Sequence, residues 1–118
     1  MPTTRYKPGD VLVTSFPFAD SGVVKRRPVL CIASLAPKRG ITLYWVLMIT
    51  STDLKGWKGD IVISDHKATG LPIPSIIRTA KIACIDGATI EKRVGVIDKA
   101  TNKAVQSTVV RLFASQAG

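Results

Sequence analysis

Apolar positions along this chain come in short runs broken by glycine, proline and small polar residues. Punctuation at such intervals predicts many strands rather than long helices. Pro8, Gly9 and Asp10 make a turn, and the alternation in DVLVTSF predicts a strand over residues 10 to 16. Residues 17 to 26 read as a loop with its tip at Asp20, Ser21 and Gly22. The β-branched run over residues 28 to 34 suits a central strand, and Pro28, which lacks an amide hydrogen, belongs at its first position. Pro37, Lys38, Arg39 and Gly40 predict a hairpin turn, from which residues 41 to 50 return as a long strand.

The second half repeats the theme and then changes period. STDLKGWKG, residues 51 to 59, is a polar loop, followed by a short strand over residues 60 to 64. Two prolines and a glycine make residues 65 to 74 a loop; residues 75 to 85 form another strand, and a turn at Asp86 and Gly87 precedes a weaker one over residues 89 to 97. After Asp98, a good N-cap, Val105, Val109 and Leu112 recur at four and three residues, which is one apolar stripe on a helix of about four turns. The whole reads as a mainly β, α+β domain in which a small, curled antiparallel sheet is closed by a C-terminal α-helix, and closure hides strand edges.

The chain has 118 residues, which fits a single domain over residues 1 to 118, and 46% of them are hydrophobic. At that size folding buries roughly two-thirds of the unfolded surface, so no metal or disulfide staple is required. Cys31 and Cys84 each sit in an apolar run and are expected as buried thiols of a reduced, cytoplasmic protein. The opening MPTTRYKPGD lacks the apolar segment of a signal peptide, and ITLYWVLMI is about half the length of a membrane span. His66 is the lone histidine and the cysteines are far apart, so no metal site is expected, and no glycine-rich nucleotide loop is present.

Charge narrows the partner. Seventeen Lys and Arg oppose eight Asp and Glu, a net charge of +9. Such an excess suggests nucleic acid, an acidic protein or an anionic membrane surface, with solubility alone as the plainer reading. Lys25, Arg26 and Arg27 crowd against Pro28 at a strand mouth, as surface charge or as a phosphate site. In LKGWKGD, Trp57 stands between Lys55 and Lys58, either stacking on a base while the lysines meet phosphates, or folded back over the sheet.

The segments KPGDVLVTSFPFAD, KRRPVLCIAS, MITST and GLPIPSIIRTAKIACID, in that order and spacing, resemble the MazF/PemK family of toxin ribonucleases, from about residue 8 to the C-terminal helix. The resemblance implies a small SH3-like barrel, a homodimer, a cognate antitoxin, and metal-independent cleavage of single-stranded RNA with no cofactor and no membrane. At the matching positions it implies that Arg27 holds the scissile phosphate, that Thr50 contributes a hydroxyl with Ser51 beside it, and that Arg78 belongs to the catalytic set. Lys25, Arg26, Ser51, Lys55, Trp57 and Lys58 are then the RNA-binding candidates, with Lys38 and Arg39 as steering charges. The chain departs from the family in one respect. PemK-type members commonly carry an aspartate two residues after the strand arginine, where this chain has Ala80. Asp53 and His66 are the loop residues available to replace it. Two rival readings remain: a barrel of this fold that binds RNA or protein without cleaving, and a toxin that poisons a topoisomerase.

Overall fold

The turn at Pro8, Gly9 and Asp10 delivers the chain into β1 (Asp10–Ser15). Gly9 takes φ +99°, a left-handed conformation open to a residue without a Cβ. In the computed structural model, which describes residues 5 to 15 and 26 to 117, there follow β2 (Arg26–Lys38), β3 (Ile41–Ser51), β4 (Asp60–Val62), β5 (Ser75–Asp86), β6 (Ile90–Val96) and α1 (Lys99–Ala114). Residue 16 and the predicted loop as far as Lys25 lie outside the described residues, and Arg26, expected at the loop's end, already belongs to β2. The strands form one antiparallel sheet in the order β4-β5-β3-β2-β1-β6, with α1 packed against β4 and β5.

The sheet carries a core on each face. Val11, Leu30, Leu47, Ile49 and Ile77 join Val105 of α1 on one side, and Leu12, Val29, Cys31, Tyr44, Val46 and Ile85 cluster on the other. Strand alternation produces this division, because adjacent residues such as Val11 and Leu12 point to opposite faces.

Three expectations are corrected here. β2 begins at Arg26, two residues before Pro28. Pairing of β2 with β3 stops at Val29, so at Pro28 the strand has a partner on one side only and can continue without an amide hydrogen. Cys84 is exposed while Cys31 is buried. Cys84 pairs with Trp45 and Cys31 with Val46, adjacent residues of β3, so the two thiols face opposite sides of the sheet. Burial, then the charge of Asp10, push the Cys31 thiol up to about 12, against a smaller opposing hydrogen bond to the Ala33 carbonyl, so it stays protonated and packs as a small apolar residue. Finally, the helix stripe is covered at Val105 and half-covered at Val109 but stands 42% exposed at Leu112. Periodicity decides which residues share a face, not how far the surface beneath extends.

The predicted cap is in place. Asp98 Oδ1 accepts the Thr101 amide at 2.6 Å. Asp98→Ala is expected to cost about 1 kcal/mol in a denaturant titration, whereas Asp98→Asn, which keeps the acceptor, costs a few tenths.

Candidate active site

The site originates in a split of the sheet. β2 and β3 stay paired from Lys38 and Ile41 as far as Val29 and Met48. Beyond that point Pro28, Arg27 and Arg26 remain opposite Val13, Thr14 and Ser15 of β1. Ile49, Thr50 and Ser51 instead follow β5, opposite Ile77, Ile76 and Ser75. The two strand tails therefore diverge, and a cleft of about 490 Å³ lies between them, lined by Arg26, Arg27 and Pro28 on one side and Thr50 and Ser51 on the other. That volume lies within the range of small-ligand sites.

A third wall comes from the segment between β4 and β5. Gly70, Leu71, Pro72 and Ile73 line the cleft together with Val94 of β6. The wall is held by a backbone crossing: a Cβ on Gly70 would stand 2.1 Å from the Val94 carbonyl oxygen, and one on Gly95 would stand 2.2 Å from that of Thr69. The two glycines thus allow loop and strand to touch main chain to main chain. Gly70 also has φ +78°, so it is required twice over. The Thr69 hydroxyl donates to the carbonyls of Asp65 and His66 at 2.8 and 2.9 Å and closes the turn that precedes the crossing.

The two arginines in the cleft differ in their engagement. Arg26 donates through Nε to Glu91 Oε1 at 2.8 Å, and Glu91 Oε2 accepts the Ser15 hydroxyl at 2.8 Å. The Ser15 hydrogen bond, aided by Arg26, holds Glu91 below the usual carboxylate range against a smaller effect of desolvation. Arg27 is half-buried, and its Nε is buried without a hydrogen-bond partner among the described residues. A desolvated donor with nothing to bind costs about 1–3 kcal/mol. Across the cleft, Ser51 Oγ accepts the Asp53 amide at 3.1 Å, capping the short 3-10 turn Thr52–Leu54 and leaving its own proton free to donate. Arg27, Thr50 and Ser51 thus line one cleft with an apolar wall, and a guanidinium with hydroxyl groups is a donor set suited to a phosphate.

The other predicted residues lie elsewhere. Arg78 is 5% exposed and does not line the cleft. Its Nε and Nη2 donate to Asp60 Oδ1 and Oδ2 at 3.2 and 3.0 Å, and Nη2 also donates to the Leu54 carbonyl. Its guanidinium carbon lies 4.1 Å from the centre of the Trp57 ring. Lys55, Trp57 and Lys58 are exposed on the loop that this pair anchors. Asp53 is exposed, His66 is half-buried, and neither lines the cleft. Ala80 lines a separate groove with Lys58, Gly59, Thr108 and Arg111. Among the described residues, no carboxylate or imidazole lines the cleft.

Burial alone would raise the Asp60 pKa. The Arg78 hydrogen bond, the Trp57 amide, the Arg78 charge and the Gly56 amide together outweigh it and lower the value. A lowered carboxylate stabilises the fold above its unfolded value and loses that contribution as pH falls through the folded one. The emission of Trp57 in a Trp45→Phe background is therefore expected to hold steady down to about pH 4, the ordinary aspartate range, and to change only in more acid solution.

The model of the PemK-like, MazF-like toxins of type II toxin-antitoxin systems matches residues 7–113. The chain belongs to this family. As a PemK/MazF-family protein it is similar in fold to toxin MazF-mt6 of Mycobacterium tuberculosis, at TM-score 0.69 and 18% identity over 89% of this chain and 96% of that one. MazF of Deinococcus radiodurans gives TM-score 0.69 and 18% identity over 92% and 96%. A mycobacterial endoribonuclease solved in complex with its cognate antitoxin gives TM-score 0.68 and 15% identity over 93% and 96%. These likenesses are of fold. No curated protein matches the sequence.

Sequence reasoning missed the third wall of this PemK/MazF-family cleft. In the sequence, Gly70, Leu71, Pro72 and Ile73 look only like loop and Val94 only like part of a weak strand. One signal was available: Leu71 and Ile73 are large apolar residues inside a segment broken by two prolines and a glycine, and Ile73 remains 48% exposed.

Proposed function

We propose that this chain is the toxin of a type II toxin-antitoxin pair and cuts single-stranded RNA in the cleft between the tails of β2 and β3. The observation that carries this reading is the Arg27 guanidinium, buried at Nε without a partner among the described residues, in one cleft with Thr50 and Ser51. The ribose 2′-oxygen attacks the adjacent phosphorus as the bond to the 5′-oxygen breaks, leaving a 2′,3′-cyclic phosphate and a 5′-hydroxyl. Arg27 binds the nonbridging oxygens and stabilises the charge that grows on them. Thr50 donates to the same phosphate, with Ser51 beside it. The 2′-hydroxyl proton passes to water, and water protonates the leaving oxygen. No metal ion or cofactor is assigned a role.

Lys25, Arg26, Lys55, Trp57 and Lys58 extend the contact along the RNA. Arg78 is assigned to the support of the loop beside the cleft. An acidic segment of the cognate antitoxin competes for the same cations, and a homodimer sets two clefts side by side in the cytoplasm.

The purified protein, incubated with single-stranded RNA in EDTA, is expected to yield fragments with 5′-hydroxyl ends. Thr50→Val removes the donor at nearly constant shape and is expected to slow cleavage about 100-fold. RNA that is bound but left intact favours a non-catalytic barrel. Intact RNA with inhibited DNA supercoiling favours a topoisomerase poison.

A further inference from the structure

An exposed tryptophan is usually loosely held, and this one is fixed at both ends. Trp57 is 50% exposed. Its amide donates to Asp60 Oδ2 at 3.1 Å, as does that of Gly56 at 3.2 Å. The guanidinium of Arg78 lies over its ring at 4.1 Å, and Lys81 Nζ approaches to 5.9 Å. Arg78 is itself immobilised by the two oxygens of Asp60 and by the Leu54 carbonyl. The side chains of the ion pair are 6% and 8% exposed, so Arg78 is shielded from any phosphate in solvent. Breaking a buried ion pair by removing one partner is strongly destabilising, and an Arg fork is geometrically demanding. All of this order is applied to one loop whose ring adds nothing to either core. Lys55 and Lys58 stand on either side of Trp57 in the sequence and are exposed. A rigid π-face with cations at its margin is the surface that single-stranded nucleic acid takes, base on ring and phosphates on cations.

We propose that Arg78 is a positioning residue: through Asp60 it locks Trp57 as a stacking platform for one unpaired base of single-stranded RNA, outside the cleft where the chain is cut. This rests on the reading of the protein as an RNA-cutting toxin, and its test does not depend on cleavage. In a Trp45→Phe background, where Trp57 is the remaining tryptophan, a ten-residue 2′-O-methyl oligoribonucleotide of mixed sequence cannot be cut. It is expected to quench Trp57 emission saturably. Poly-glutamate, charged but without flat rings, leaves the emission unchanged.

Trp57→Ala is expected to raise the KM for RNA cleavage about tenfold, with kcat changed less than about twofold, a size typical of one lost stacked base. Arg78→Lys keeps the charge but loses the fork, and it moves KM in the same direction with kcat preserved. Where Arg78→Lys does not fold, the Trp57 variant and the quenching titration decide the matter alone. Absence of quenching by the oligonucleotide, equal quenching by poly-glutamate, or loss of kcat at constant KM in either variant overturns the proposal. Quenching without cleavage leaves the platform standing and removes the nuclease reading; cleavage without quenching does the reverse.

Discussion

Arg27→Ala is expected to lower the rate of RNA cleavage by about a thousandfold, the upper end for loss of one preorganised donor to a developing oxyanion. The size follows from what the residue supplies, a permanent charge and a planar fork in the cleft that Thr50 and Ser51 also line. Arg27→Lys restores the charge without the fork and is expected to recover about tenfold of the loss. Stability provides the control. Because Arg27 Nε is buried without a partner among the described residues, the wild-type fold bears the cost of that donor. Its removal should leave the unfolding free energy within about 1 kcal/mol of the parent, or above it. Paired cleavage assays and thermal melts read both quantities. A variant that melts far below the parent would trace the lost activity to unfolding, and one that cuts RNA at the parent rate would end the role assigned to Arg27.

Gly70→Ala and Gly95→Ala are each expected to cost about 3 kcal/mol and to lower the melting temperature by roughly 10 °C. Both new methyl groups meet carbonyl oxygens, at 2.1 and 2.2 Å, and a carbonyl within packed main chain cannot swing aside as a side-chain tip can. Gly70→Ala adds the strain of a positive φ. The two substitutions widen the same crossing, so the double variant should cost less than the sum of the two. Cleavage should fall in each even below its melting range, because the displaced loop carries Leu71, Pro72 and Ile73 away from the cleft. Denaturant titration of the three variants checks this; additive costs would show that the glycines act separately.

Strand existence was readable because glycine and proline mark the ends of nearly every run, and Asp98 announced the helix. Two kinds of information were not. Arg78 lies in SIIRTA, where residues 75 to 79 are all buried and alternation disappears. A strand covered on both faces has no polar side, so its pattern cannot tell a core arginine from a surface one. Its partner Asp60 sits 18 positions earlier on another strand, and only the β4–β5 pairing brings the two together. The Arg27–Thr50 cleft was reached through residues at strand ends that the family resemblance singled out. Its third wall depends on a loop crossing between Gly70 and Gly95, a long-range contact with no local signature.

The gap between the two central strands is set by which neighbour each backbone follows after Val29 and Met48. Its aperture is therefore a property of the scaffold and not of the groups that furnish it. Ile73, which stays 48% exposed, can vary without re-pairing these strands, whereas Leu71 is held in the core, so lining and strand pairing come apart only at the outer edge of the cleft. A shape still shared at 15–18% identity is what such a separation would leave behind.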